Sequence, residues 1–210
     1  MHDDYSLPAD LTDPKVSSAD RGFHHVVAIG GSAGGVEALT ELAPMFPRAF
    51  AAPIIIAVHS SPGSQLAPIL DRMCPLPVIS AVTDMQLKPA HVYVIPPHAQ
   101  IRFEGSWIIV SQRKSSGLFR PSIDGLFLAM AEEFGDAGIG VVLSGAMDDG
   151  TLGARILHLV DARMIVQSPE QAGFSSMPLN VIAHDHPEAV LSLKGIAQKL
   201  VDIVGVKTSD

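Results

Sequence analysis

"VVAIGGSAGGVEAL", Val26–Leu39, is an apolar run that meets a glycine cluster with Ser32 in its middle. Continuous small and β-branched residues ending on glycine read as a strand buried on both faces. Beyond the glycines, Val36, Leu39, Leu42 and Ala43 recur at helical spacing. A strand, a tight turn and a helix can serve two chemistries. The turn amides can cradle an anion, or the turn can present a serine as a nucleophile. A dinucleotide fingerprint needs glycine at positions one, three and six. Counted from Gly30 the third position is Ser32, and from Gly31 it is Ala33, so the pattern fails in both registers. The Gly-Lys-Ser/Thr ending of a nucleotide phosphate loop is also absent. Gly30-Gly31-Ser32-Ala33-Gly34 does fit G-x-S-x-G, the spacing of a strand-to-helix nucleophile elbow. A serine that merely caps the helix stays open beside it.

Outward from this unit, strands and helices alternate. "PIIIAVHSS" (53–61) is a second buried strand, and "SQLAPILDRM" a helix with apolar positions at Leu66, Ile69, Leu70 and Met73. Pro68 fits such a helix only near its first turn. "LPVIS" and "HVYVIPP" are short strands, and "QIRFEGSWIIVSQ" is a hairpin turning at Glu104-Gly105-Ser106. "PSIDGLFLAMAEEF" predicts a helix with Ile123, Leu126, Phe127, Met130 and Phe134 inward. The strand "GIGVVLSG", the helix "DGTLGARILHLV", the strand "RMIVQS" and two late helices, "MPLNVIAH" and "LKGIAQKLVDIV", follow. The expected fold is therefore α/β: a doubly wound, mostly parallel sheet with helices on both faces, Rossmann-like in three layers, plus a small antiparallel hairpin. Residues 1–22 read as a flexible acidic tail and 23–210 as one domain.

Composition narrows the function. Of the 210 residues, 47% are apolar and 17% charged, as in a globular protein, and the net charge of −8 disfavours nucleic acid or an anionic membrane as the default partner. A single cysteine, Cys74, allows no internal disulfide and no cysteine-rich zinc site, and suits a reducing cytoplasm. No stretch is apolar for long enough to span a bilayer, and "MHDDYSLPAD" is no secretory signal, so a soluble cytoplasmic protein is expected.

A serine hydroxyl becomes a nucleophile when a histidine takes its proton and a carboxylate orients that histidine. Of nine histidines, only His59 ends a strongly apolar strand, and that strand follows the Ser32 unit directly. His24, His25 and His91 begin strands, His98 follows two prolines, and His158 lies within a helix. His184 and His186 flank Asp185 on a surface loop, and a metal there is the weaker reading. "VVLSGAMDDGTLGA" sets Asp148 and Asp149 after another buried strand, where one can cap a helix while the other orients His59. Magnesium held by the pair is a secondary reading without a lysine-bearing phosphate loop. Ser32, His59 and the aspartates all fall at carboxyl ends of strands, where doubly wound sheets bind their ligands.

Taken together and in order, "AIGGSAGG", "IIIAVHSSPG", "HVYVIPPH", "RPSIDGLF", "VVLSGAMDDGTLG" and "VQSPEQAGFSSMP" resemble the catalytic domain of the chemotaxis protein-glutamate methylesterases over about Val26 to Leu193. The resemblance implies a triad of Ser32 as nucleophile, His59 as base and Asp149, the aspartate directly before Gly150. It implies hydrolysis of glutamate γ-methyl esters on chemoreceptor signalling helices with release of methanol and, in some members, deamidation of glutamines. Ala33, Ala146 and Met147 are the candidate oxyanion amides, and Arg120 a candidate substrate contact. The chemistry requires no metal or organic cofactor.

The sequence departs from the family in three ways. No receiver domain fits in the residues before the first strand, so the enzyme is expected to be ungated or gated by a separate regulatory protein. The late loop reads "SSMPLN", with Leu179 and Asn180 where a basic residue is common. Met147 and Asp148 stand where better-known members carry glycine and asparagine. The competing readings are a serine esterase or amidase of the same fold acting on another substrate, and a non-catalytic anion-binding module.

Overall fold

The computed structural model describes residues 21–60, 63–112 and 121–207. Seven strands form one parallel sheet: β1 (Val26–Gly31), β2 (Ile54–Val58), β3 (Val78–Ser80), β5 (Val92–Val94), β8 (Gly138–Val142), β9 (Arg163–Gln167) and β10 (Ala189–Leu191). Their order across the sheet is β10-β9-β8-β1-β2-β5-β3. The chain steps from β1 to one side as far as β3, then returns to build β8, β9 and β10 on the other. That reversal beside β1 opens the crevice in which doubly wound sheets carry their sites. The predicted hairpin is present as β6 (Ala99–Glu104) and β7 (Trp107–Gln112), and β4 (Met85–Gln86) adds a third antiparallel strand. β4 and β10 are too short to leave a periodic signal in the sequence.

β1 is buried along its whole length, and its residues alternate between two cores. Val26 and Ala28 face α3 (Ile123–Phe134), α4 (Thr151–Leu159), α5 (Ser176–His184) and the small sheet. Val27 and Ile29 face α1 (Gly35–Leu42), α2 (Leu66–Asp71) and α6 (Leu193–Val204). The inward set read for α3 is buried as expected. In α2 the spacing is misleading. Leu66 and Leu70 are buried with Ala67, whereas Ile69 and Met73 are partly exposed, because the helix ends at Asp71 and packs its narrow side on the sheet. Arg21 is buried, donates to the Glu133 carbonyl at 3.0 Å and stacks on Phe134. Residues 1–20 lie outside the described residues.

One glycine decides how α3 meets the sheet. A Cβ on Gly30 would lie 2.3 Å from the Cγ2 of Ile123, the first residue of α3. The absent side chain lets the start of α3 rest against the end of β1. Gly30→Ala is expected to cost about 1–3 kcal/mol by overpacking, read as a lower urea midpoint. An unchanged midpoint would contradict this packing.

Candidate active site

Strand register brings serine and histidine together. Gly31 of β1 pairs with Val58 of β2, and Ser32 and His59 are the next residues of each chain. The Ser32 amide donates to the Ser144 carbonyl at 3.0 Å, and the Ser32 carbonyl accepts from Gly35 at 2.8 Å, which closes the predicted sharp turn. Gly34 sits at φ 72°, and a Cβ there would lie 2.5 Å from the Ser144 hydroxyl. The loop after β8 thus clamps the turn after β1. The Ser144 hydroxyl donates to the Ala33 carbonyl at 2.8 Å and accepts from the Phe174 amide at 2.9 Å, while its own amide donates to Gln167 Oε1 at 2.7 Å.

His59 Nδ1 lies 3.0 Å from Ser32 Oγ, and its Nε2 lies 2.7 Å from Asp149 Oδ2. The histidine side chain is 13% exposed and that of Asp149 5%. An ionised carboxylate only accepts hydrogen bonds, so Nε2 carries the ring proton and Nδ1 offers its lone pair to the Ser32 hydroxyl. Burial alone would push the Asp149 carboxyl up. The hydrogen bond from His59 and those from the amides of Asp124 and Ile123 outweigh it and hold the group below the ordinary range.

These donors come from the start of α3, 25 and 26 residues earlier in the chain. Asp149 Oδ2 accepts from the Ile123 amide and Oδ1 from the Asp124 amide, each at 2.9 Å, with the Ser122 hydroxyl at 3.4 Å from Oδ1. Ser122 itself caps the helix through the Gly125 amide. The Asp149 carboxylate therefore sits on a helix N-terminus, where orphan amides and the helix dipole favour negative charge. Asp124 reciprocates: its Oδ1 accepts from Gly150 at 2.9 Å and from Gly153 at 2.7 Å, capping α4, whose own N-cap glycine has no side chain. Burial pushes the Asp124 carboxyl up to about 6. The Gly153 and Gly150 amides oppose this, and the charge of Asp149 adds to it.

The predicted residues are distributed as follows. Ser32, His59 and Asp149 meet. Ala33 follows the nucleophile turn, and Ala146 and Met147 lie on the loop between β8 and Asp149. Among the described residues none accepts a hydrogen bond from the amides of Ala33, Ala146 or Met147. Met147 has φ 71°, unusual outside glycine, and its carbonyl accepts from Asn180 Nδ2 at 2.8 Å. Asn180 thereby pins this strained loop. Asp148 is exposed and its carbonyl accepts from Thr151. Arg120 lies outside the described residues. His184 and His186 are exposed away from the triad, and the described residues contain no group of three metal-ligating side chains. Sequence reading missed the parts played by Ser122, Asp124, Ser144 and Gln167. The one signal was an aspartate in the first turn of a predicted helix.

A hydroxyl, an imidazole and a helix-anchored carboxylate in hydrogen-bonded series, at the switch point of a doubly wound sheet, define the geometry of a hydrolase-type site. A family model described as CheB methylesterase matches residues 27–200, and the chain belongs to that family. A relative from Leptospira interrogans, provisionally named a protein-glutamate methylesterase/protein-glutamine glutaminase, is 32% identical over 181 residues, covering 85% of this chain and 94% of that one. The Thermotoga maritima protein-glutamate methylesterase/protein-glutamine glutaminase is 30% identical over 200 residues, 92% of this chain but 56% of its own length. This chain thus spans about half of that relative, as it does of a Myxococcus xanthus one. The crystal structure of the Thermotoga maritima CheB methylesterase catalytic domain superposes with a TM-score of 0.80 at 30% identity, over 86% of this chain and 98% of that one. No helix among the described residues is long and apolar enough to cross a membrane.

The depressed pKa makes Asp149 a pH-dependent contributor to stability. Its contribution is present above the unfolded value of about 4 and is lost as pH falls through the lower folded value. Asp149→Asn is expected to be less stable than wild type at about pH 7, with the gap narrowing by about pH 3. Urea unfolding at both pH values checks this, and a constant gap would contradict it.

Proposed function

We propose that this chain hydrolyses γ-methyl esters of glutamate residues on chemoreceptor signalling helices, with Ser32, His59 and Asp149 as its catalytic triad. The observation that carries the reading is the hydrogen-bonded series from Ser32 Oγ through the His59 ring to Asp149. His59 Nδ1 takes the Ser32 proton as Oγ attacks the ester carbonyl. The imidazolium is stabilised by Asp149 and returns its proton to the departing methoxide, so methanol leaves and a glutamyl-Ser32 ester remains. Water, deprotonated by the same nitrogen, then cleaves that ester, releasing the glutamate carboxylate and restoring the serine.

The tetrahedral oxyanion needs preorganised donors, each worth about 3 kcal/mol. The amides of Ala33 and Ala146 are the candidates, with Met147 next along the same loop, and their lack of acceptors among the described residues supports this role. The same steps applied to a glutamine side chain release ammonia in place of methanol. The paired activities in the relatives' names favour this as a second activity of one site. Arg120 is proposed to contact the substrate. Residues 23–210 are taken as the catalytic unit, and a receptor-helix substrate implies a cytoplasmic protein.

The test is methanol release from methyl-labelled chemoreceptor membranes. Ser32→Ala and His59→Ala are each expected to lower kcat by about 10⁴-fold or more, and wild-type activity is expected to fall as acid protonates the base. Equal release by wild type and Ser32→Ala would overturn the triad. No release by folded wild type would overturn the receptor ester as substrate.

A further inference from the structure

Asp124 is a buried carboxylate that the triad mechanism does not use. It lies on α3, yet its side chain accepts from the Gly150 and Gly153 amides of α4, while Asp149, the residue before α4, accepts from the Ile123 and Asp124 amides of α3. Each helix is therefore capped by a carboxylate that the other helix supplies or adjoins. The two helices can meet this closely because Gly153 has no side chain: a Cβ there would lie 3.0 Å from the Asp124 Cα and 2.7 Å from the Phe127 Cβ. The Asp124 amide donates to Asp149 Oδ1, and the charge of Asp149 acts on the Asp124 carboxyl.

We propose that Asp124 is a positioning residue for the reaction: ionised, it fixes the loop that carries Asp149 and the Ala146 and Met147 amides, and it leaves Asp149 free to accept from His59. A charged carboxylate grips the Gly150 and Gly153 amides more strongly than a neutral one. A neutral acid also has a proton to donate, and Asp149 is the carboxylate whose charge acts on it. A bond from Asp124 to Asp149 competes with the one from His59, so the acid form both loosens the loop and weakens the orienter. The titratable groups facing Asp124 are Asp149, with His59 bonded beyond it and Asp148 next on the loop. α4 meets it with backbone amides, and Ser122 on its own helix is bonded to Asp149. Burial and the neighbouring charge push its carboxyl up to about 6, inside the working range of a histidine base. Protonation of Asp124 then adds its own proton uptake to the loss of activity in acid.

This inference rests on the triad reading, and the experiment separates the two. Methanol release from methyl-labelled chemoreceptor membranes is followed from about pH 5 to about pH 8 for wild type, Asp124→Asn and Asp124→Ser, with urea midpoints for each. In parallel, carboxyl carbon resonances of the full chain are titrated by NMR. The wild-type acid limb is expected to be steeper than that of either variant, with the variants' kcat at neutral pH lowered about tenfold or more. The wild-type Asp124 resonance is expected to titrate near 6, with Asp149 responding in the same step. Variants that lose rate uniformly while keeping the wild-type slope would overturn the inference in favour of a capping role alone, as would failure of both to fold. An Asp124 resonance titrating in the ordinary carboxylate range would overturn it without reference to substrate. If Ser32→Ala retains wild-type release, the triad reading itself fails. If Ser32→Ala is inactive and the Asp124 variants keep the wild-type slope, only the present inference fails.

Discussion

A carboxylate that is nine-tenths buried must be held by donors or it takes up a proton, and Asp149 is held by the first turn of α3. The rest of the site depends on that grip. It keeps Asp149 charged, the charge fixes the proton of His59 on Nε2, and the ring's other nitrogen presents its lone pair to the Ser32 hydroxyl. Helix packing, not local sequence, thus sets the chemistry of the base. A displaced α3 would leave the sheet intact and the triad without its orienter.

The fold was legible because the signals are long and consistent. β1 and β2 are unbroken apolar runs, and α3 has five inward residues at helical spacing, so alternation of strand and helix decides the architecture. The meeting of Ser32 and His59 was legible for a related reason: in a parallel sheet, residues that end strands converge, and register puts these two side by side. The choice of Asp149 over Asp148 was not local. It came from the family resemblance, and the structure gives its physical counterpart: the chain turns Asp149 inward onto α3 and leaves Asp148 in solvent.

What the sequence hid is long-range hydrogen bonding. Ser122 and Asp124 precede Asp149 by 27 and 25 residues, and no spacing rule joins them. Ser144 reads as part of a strand ending, yet its hydroxyl ties three loops together. α2 misled because its helix is too short for a periodic stripe to predict a buried face. Asn180 carries no signal of its role in sequence, yet it holds the carbonyl of Met147, whose φ is positive.

In the proposed mechanism His59, oriented by Asp149, activates Ser32. The most direct measurement is covalent labelling with a fluorophosphonate, an ester-like phosphorus electrophile that is attacked by activated serines, with the adduct located by mass spectrometry. The account predicts one adduct, on the peptide containing Ser32, forming in wild type and lost in His59→Gln. An adduct on another residue, or labelling of Ser32 that proceeds at the wild-type rate in His59→Gln, would contradict it.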